Sequence, residues 1–191
     1  MSTIYTLNSK VLKNTATDKW LIKKEIPLEV QIGNQIWKTK NLAIDDGQGG
    51  IYSQTVNYGQ GDVVEYYYTW EAAVRIVATI SGWHLPTKAE WDTLANAVGG
   101  DSTGGTKLKS TYGWIDNGNG TDDYGFTVLP AGYRSPYSGF ISFGGYAYFW
   151  TCTENSSTEA YYTNFIKFNG SITTWGYENK SYGNSVRLIK D

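Results

Sequence analysis

The chain has 191 residues, 18 acidic and 16 basic, for a formal net charge of −2. That length fits one domain with an arm, and such a domain folds without a disulfide or a metal. One cysteine, Cys152, and one histidine, His84, exclude a disulfide framework, a Cys-based zinc cluster and a His-pair metal site. The near-neutral charge argues against nucleic acid as a partner, and no apolar run approaches the roughly 18 residues of a membrane span.

Met1 to Leu7 shows no basic, apolar or small-residue pattern of a secretory signal. The expectation is a chain that works inside a cell or virion, or one whose signal has been removed. Residues 1–27 hold five lysines against Asp18 and Glu25. With short strands expected at Ile4–Leu7 and Trp20–Ile26, residues 1–29 read as an arm or attachment segment, too short for a core of its own. Val30 to Trp37 alternates around Gly33-Asn34, a hairpin pattern. The glycine-rich stretch 45–62 reads as loop.

Two helices are expected. The first runs from about Trp70 to Ile80, capped by Thr69, with Ala73, Val74, Val77 and Ile80 inward and a stop at Ser81-Gly82. The second follows Thr87-Lys-Ala-Glu90, a capping box, and buries Trp91, Leu94, Ala95 and Val98 before Gly99-Gly100. Residues 99–123 read as a second long loop. Strands are expected at Phe126–Leu129, Tyr146–Thr151, Tyr161–Phe168, Ile172–Trp175 and Val186–Ile189, with a type I′ turn at Asn169-Gly170. Helices in the middle and strands toward the end give an α+β class.

Gly82-Trp-His-Leu-Pro-Thr-Lys-Ala-Glu-Trp91 is similar to the Leu-Pro-Thr-x-x-Glu-Trp signature of the formylglycine-generating branch of the C-type lectin-like fold. The chain more closely resembles the Fibrobacter succinogenes major paralogous domain, found in Bacteroidetes and their phages. Val30–Trp37 with Asn41-Leu42, Tyr68–Ala73, Gly105–Lys109, Asp123–Phe126, Leu129–Arg134, Trp150–Glu154 and Ser181–Asp191 carry the rest of the likeness, over about 30–191. It implies a C-type lectin-like fold with two helices, small twisted antiparallel sheets and long ordered loops. It also places Arg134 and Arg187 in family motifs, where pairing with buried carboxylates or carbonyls is expected. His84 is expected to be structural.

The formylglycine-generating chemistry, as the resemblance implies, needs two cysteines to hold copper. Cys152 alone cannot form that site. No Gly-x-Ser-x-Gly, His-Glu-x-x-His or phosphate-loop pattern is present, so no enzyme and no cofactor are expected. Asp116 to Asp123 fails the EF-hand spacing, with Gly118 third and Thr127 twelfth. An irregular Ca²⁺ site from Asp116, Asp122 and Asp123 stays open beside a plain turn.

Tyrosine, at 16, outnumbers each aliphatic type, with 8 tryptophans and 22 glycines beside it. Across 131–185, Tyr, Ser, Asn, Thr and Gly make up 34 of 55 residues and only six are charged. Phe126, Phe149 or Trp150, Phe165 and Phe168 are expected in the core. Tyr133, Tyr137, Trp175, Tyr177, Tyr182 and Asn179 are the candidate ligand-binding residues, on loops around 133–143 and 175–182 that glycine and proline keep out of strands. Tyr and Trp stack on sugar faces while Ser and Asn supply hydrogen bonds. The expectation is a recognition or adhesion module of a phage virion, binding a host-surface glycan or protein, with residues 1–29 docking on other virion proteins. A purely structural virion protein and an exported bacterial surface protein are the alternatives, and a homo-oligomer is open.

Overall fold

The computed structural model describes residues 28–191 and, before them, only the paired two-residue strands β1 (Leu12–Lys13) and β2 (Trp20–Leu21). The expected strand Ile4–Leu7, and all of Trp20–Ile26 beyond Leu21, lie outside the described residues. β3 (Glu29–Ile32) and β4 (Gln35–Lys38) form the expected hairpin, with Ile32 opposite Gln35 across Gly33-Asn34. β5 (Ile51–Asn57) and β6 (Asp62–Tyr68) follow, then α1 (Trp70–Val77), β7 (Trp83–His84), α2 (Lys88–Ala97) and α3 (Gly104–Leu108). The last third holds β8 (Tyr133–Ser135), β9 (Gly139–Ile141), β10 (Tyr146–Glu154), β11 (Glu159–Ile166), β12 (Ile172–Asn179) and β13 (Ile189–Lys190). The class is α+β, mostly β, in small antiparallel sheets.

Two sheets organise the domain. In the order β3-β4-β13-β7, the last strand of the chain lies between β4 and β7, so the two ends of the domain pair with each other. The other sheet, β10-β11-β12, carries most of the aromatic third. The segment leading into β13 stitches the parts together: Asn184 exchanges backbone bonds with Tyr68, and Ser185 bridges Tyr148 and Trp150.

Both helices begin where their caps dictate. Thr69 accepts from the Ala72 amide, and Thr87 with Glu90 closes the full capping box. Gly99 and Gly100 end the second helix at positive φ. Trp91 is the hub of the first core: its ring lies 4.8 Å from Trp37, 5.5 Å from Phe149, 6.1 Å from Phe126 and 6.4 Å from Phe165. The second core packs α1 and Tyr68 against Trp150, Val186 and Leu188.

Several expectations need correction. There are three helices, because α3 forms inside the stretch read as loop. α1 stops at Val77 and buries Ala72, Ala73, Ile76 and Val77, leaving Val74 exposed and Ile80 in the turn that follows. Residues 45–62 are not all loop, since β5 pairs with β6 along seven residues. Residues 126–129 make only one bridge, Lys109 to Val128. Of Val186–Ile189, only Ile189 is in a strand.

Asn169-Gly170 is no type I′ turn: neither residue takes positive φ, and five residues join β11 to β12. Glycine is needed at 170 for close approach, since a Cβ there would meet Thr106 Oγ1 at 2.5 Å. Phe126, Phe149, Trp150 and Phe165 are buried as expected, whereas Phe168, beyond the end of β11, is 73% exposed.

Candidate functional site

Alternation along β10, β11 and β12 divides their side chains between two faces. Ala147, Phe149, Phe165 and Ile172 join the first core beside α2. Tyr146, Tyr148, Tyr162, Asn164, Gly176 and Glu178 share the opposite face, as the pairs Tyr148↔Asn164 and Tyr162↔Gly176 require. Gly176 makes room there, because a Cβ would stand 2.5 Å from the Tyr162 ring. Tyr133 from β8 and Tyr182 from the segment after β12 complete the group. Ring centroids lie 4.8 Å apart for Tyr133–Tyr148, 5.1 Å for Tyr148–Tyr162, 5.9 Å for Tyr146–Tyr148 and 6.1 Å for Tyr133–Tyr182. All five tyrosines keep part of their surface in solvent.

Glu178 stands among these rings. Its Oε1 accepts from Asn184 Nδ2 at 2.6 Å, and no cation pairs with it among the described residues. Burial pushes its carboxyl up to about 7, against the pull of that one bond. The hydroxyls of Tyr133, Tyr148 and Tyr162 are raised in turn, by burial first and then in part by the Glu178 charge. Two side-chain oxygens on the floor have no donor, Asn164 Oδ1, in a residue only 6% exposed, and Asn184 Oδ1.

Of the residues picked from sequence, Tyr133 and Tyr182 belong to this cluster. Asn179 positions Tyr182: its Oδ1 accepts from the Ser181 amide and its carbonyl from the Tyr182 amide, both at 3.0 Å. Trp175, Tyr177 and Asn179 lie in β12, and residues 133–143 hold the paired strands β8 and β9, so the expectation of loops at both places is corrected. Trp175 is nevertheless 70% exposed, because Thr174 and Trp175 together oppose Thr163 in a bulge that turns the ring outward. Tyr177 is 53% exposed on the other face, its ring 6.0 Å from Tyr161. Tyr137, in the β8–β9 turn, is 87% exposed. Neither Tyr137 nor Trp175 touches another ring among the described residues.

Three further places were chemically eligible. A cavity of about 290 Å³ is walled by Leu42, Val64, Glu65, Tyr112, Leu129 and Arg187. Its polar groups are already matched: Glu65 accepts from Tyr58 and Asn41, at 3.0 and 3.2 Å. Arg187 spends its N–H groups on Asn41 Oδ1 and on the carbonyls of Lys38, Phe126 and Thr127. Of the two partners expected for Arg187, buried carboxylates or carbonyls, the structure gives carbonyls. Arg134 instead stacks 3.5 Å over the ring of Tyr52.

His84 is held at both nitrogens, by Asp191 and Glu90 at 2.8 Å each. Partial burial opposes the charged ring, but these two carboxylates outweigh it and raise its pKa. Neither nitrogen is free to take a proton from Cys152, whose thiol burial and the Glu90 charge push up. Among the acidic loop residues, Asp122 caps Thr127 through its amide and hydroxyl, both at 2.7 Å, and Asp116 pairs with Lys167. The described residues contain no group of three or more His, Cys, Asp or Glu placed to hold a metal ion.

Residues 30–190 match the family described as the Fibrobacter succinogenes major domain. The chain belongs to that family. No curated protein and no solved structure matches it. Within this Fibrobacter succinogenes major domain, the Leu-Pro-Thr block forms the capped start of α2, and Arg187 sits on the strand-like C-terminal segment that closes the sheet. Sequence reasoning missed Tyr146, Tyr148, Tyr162, Asn164, Glu178 and Asn184. The signal was present for four of them: Tyr146-x-Tyr148 and Tyr162-x-Asn164 have the period of two that places neighbours on one face.

Proposed function

We propose that this domain is a non-catalytic recognition module of C-type lectin-like fold, displayed on a phage particle or a bacterial surface, that binds a surface glycan. The observation that carries the reading is the tyrosine face of β10–β12, where five part-exposed rings surround the carboxyl of Glu178. Rings of this kind stack on the C–H faces of sugars, and their hydroxyls, with the Glu178 carboxyl, can donate to and accept from sugar hydroxyls. Tyr137, Trp175 and Tyr177 extend the contact surface beyond the cluster. Residues 1–29 would serve as the attachment segment.

Non-catalysis is supported by the doubly held His84 and by the raised thiol of Cys152. A second reading, a structural or assembly protein, draws on Phe168 and Trp175, two large apolar rings left in solvent near the edge strand β12. A glycan array with the full chain separates them. Binding that is lost in Tyr133→Ala and Tyr182→Ala supports recognition by the tyrosine face. An empty array, with self-association that Trp175→Ala abolishes, favours assembly.

A further inference from the structure

We propose that the tyrosine face takes the protonated amino group of an amino sugar, its ring stacked on tyrosine and its ammonium donating to Glu178 Oε2. This rests on the glycan-recognition reading above and narrows it to one class of ligand.

Several carboxylates of this protein are held by a cation. Asp46 is held by Arg75 at 2.8 Å, Glu29 by Lys38 and Asp92 by Lys88 at 2.9 Å each, and Glu90 by His84 at 2.8 Å. Glu154 has Lys180, and the buried Glu65 faces Arg187 through Asn41. Glu178 is half-sunk among rings, yet it has one neutral amide donor and no cation among the described residues. A carboxylate in such a place costs stability unless something compensates it. Nothing in the packing requires an acid there, since a glutamine could accept from Asn184 equally well.

Glu178 Oε2 has no donor among the described residues, and the surrounding ring faces are negative. A cation gains from both, through charge-assisted hydrogen bonds and through the ring quadrupoles. A neutral sugar would supply donors but leave the charge uncompensated. An acidic sugar would be repelled.

The test is calorimetric titration of the full chain at pH 7.5 and low salt, where most Glu178 carboxyls have lost their proton, using a glucosamine tetramer, its N-acetylated counterpart and an amide of lysine. The glucosamine tetramer should bind at least about tenfold more tightly than the N-acetylated one, the scale of one charge-assisted contact. Glu178→Gln should remove that preference. If Glu178→Gln does not fold, the wild-type comparison decides alone, with Tyr182→Ala, on the solvent-facing rim, expected to weaken the glucosamine tetramer. Equal affinity for both tetramers, or wild-type behaviour of Glu178→Gln, overturns the amine assignment while leaving glycan recognition standing. Equal binding of the lysine amide overturns the choice of a sugar. If neither tetramer binds, the glycan reading falls too.

Discussion

Glu178→Gln also makes a measurement of stability decisive, with no ligand present. The folded protein holds the Glu178 proton up to about pH 7, against an ordinary value of 4.5. Because the folded state binds that proton more tightly, protonation favours folding. The contribution is fully present below pH 4.5 and is lost as pH rises through about 7. The gap corresponds to about 3 kcal/mol at roughly 1.4 kcal/mol per pH unit, and partial solvent access reduces it to about 2 kcal/mol.

Glutamine has the same shape and does not ionise. Relative to wild type, Glu178→Gln should therefore be near neutral at pH 4.5 and more stable by about 2 kcal/mol at pH 8. Urea unfolding of both proteins at the two pH values provides the comparison. His84, Glu65 and Glu90 titrate in both proteins, so their effects cancel in the difference. An equal stability difference at pH 4.5 and pH 8 would refute the claim that this carboxylate is buried without compensation.

Trp91→Ala should cost about 3–5 kcal/mol, because it empties the hub between Trp37, Phe126, Phe149 and Phe165. Thr87→Ala should cost only about 1 kcal/mol through the lost cap, and urea midpoints within error of each other would contradict the ranking. The His84 bridge to Glu90 and Asp191 should stabilise the fold fully below pH 6.5 and lose its effect as pH rises through the raised folded value. His84→Asn should flatten that part of the stability profile, and an unchanged profile would show that the bridge contributes nothing. Alanine at Tyr137, Trp175 or Tyr177 should weaken binding to the target surface by about 1–3 kcal/mol without moving the melting temperature, and that binding should survive EDTA. Unfolding of these variants would mean that the rings are core. Cys152→Ser should keep both fold and binding, and loss of a measured turnover in it would overturn the non-catalytic reading.

The family, the α+β class, the hairpin at Gly33-Asn34 and both capped helices were legible in the sequence, because each depends on neighbours within a few residues. A capping box is four residues long and acts wherever it occurs, so Thr87 to Glu90 announces α2 without help from the rest of the chain. The heavy use of tyrosine was equally legible, as was the exposure of Tyr137, Trp175 and Tyr177. What the sequence could not provide was the assembly of the tyrosine face. Tyr133, Tyr148, Tyr162 and Tyr182 lie on four separate segments; the register of β10 and β11 joins Tyr148 to Tyr162, and the bridges Gly132–Ala147 and Arg134–Gly183 bring in Tyr133 and Tyr182. The bulge that turns Trp175 outward is a mismatch of one residue between two strands, visible in neither strand alone. Glu178 has no local mark at all. Its importance comes from burial among rings with no cation beside it among the described residues, and an environment of that kind exists only once the chain has folded.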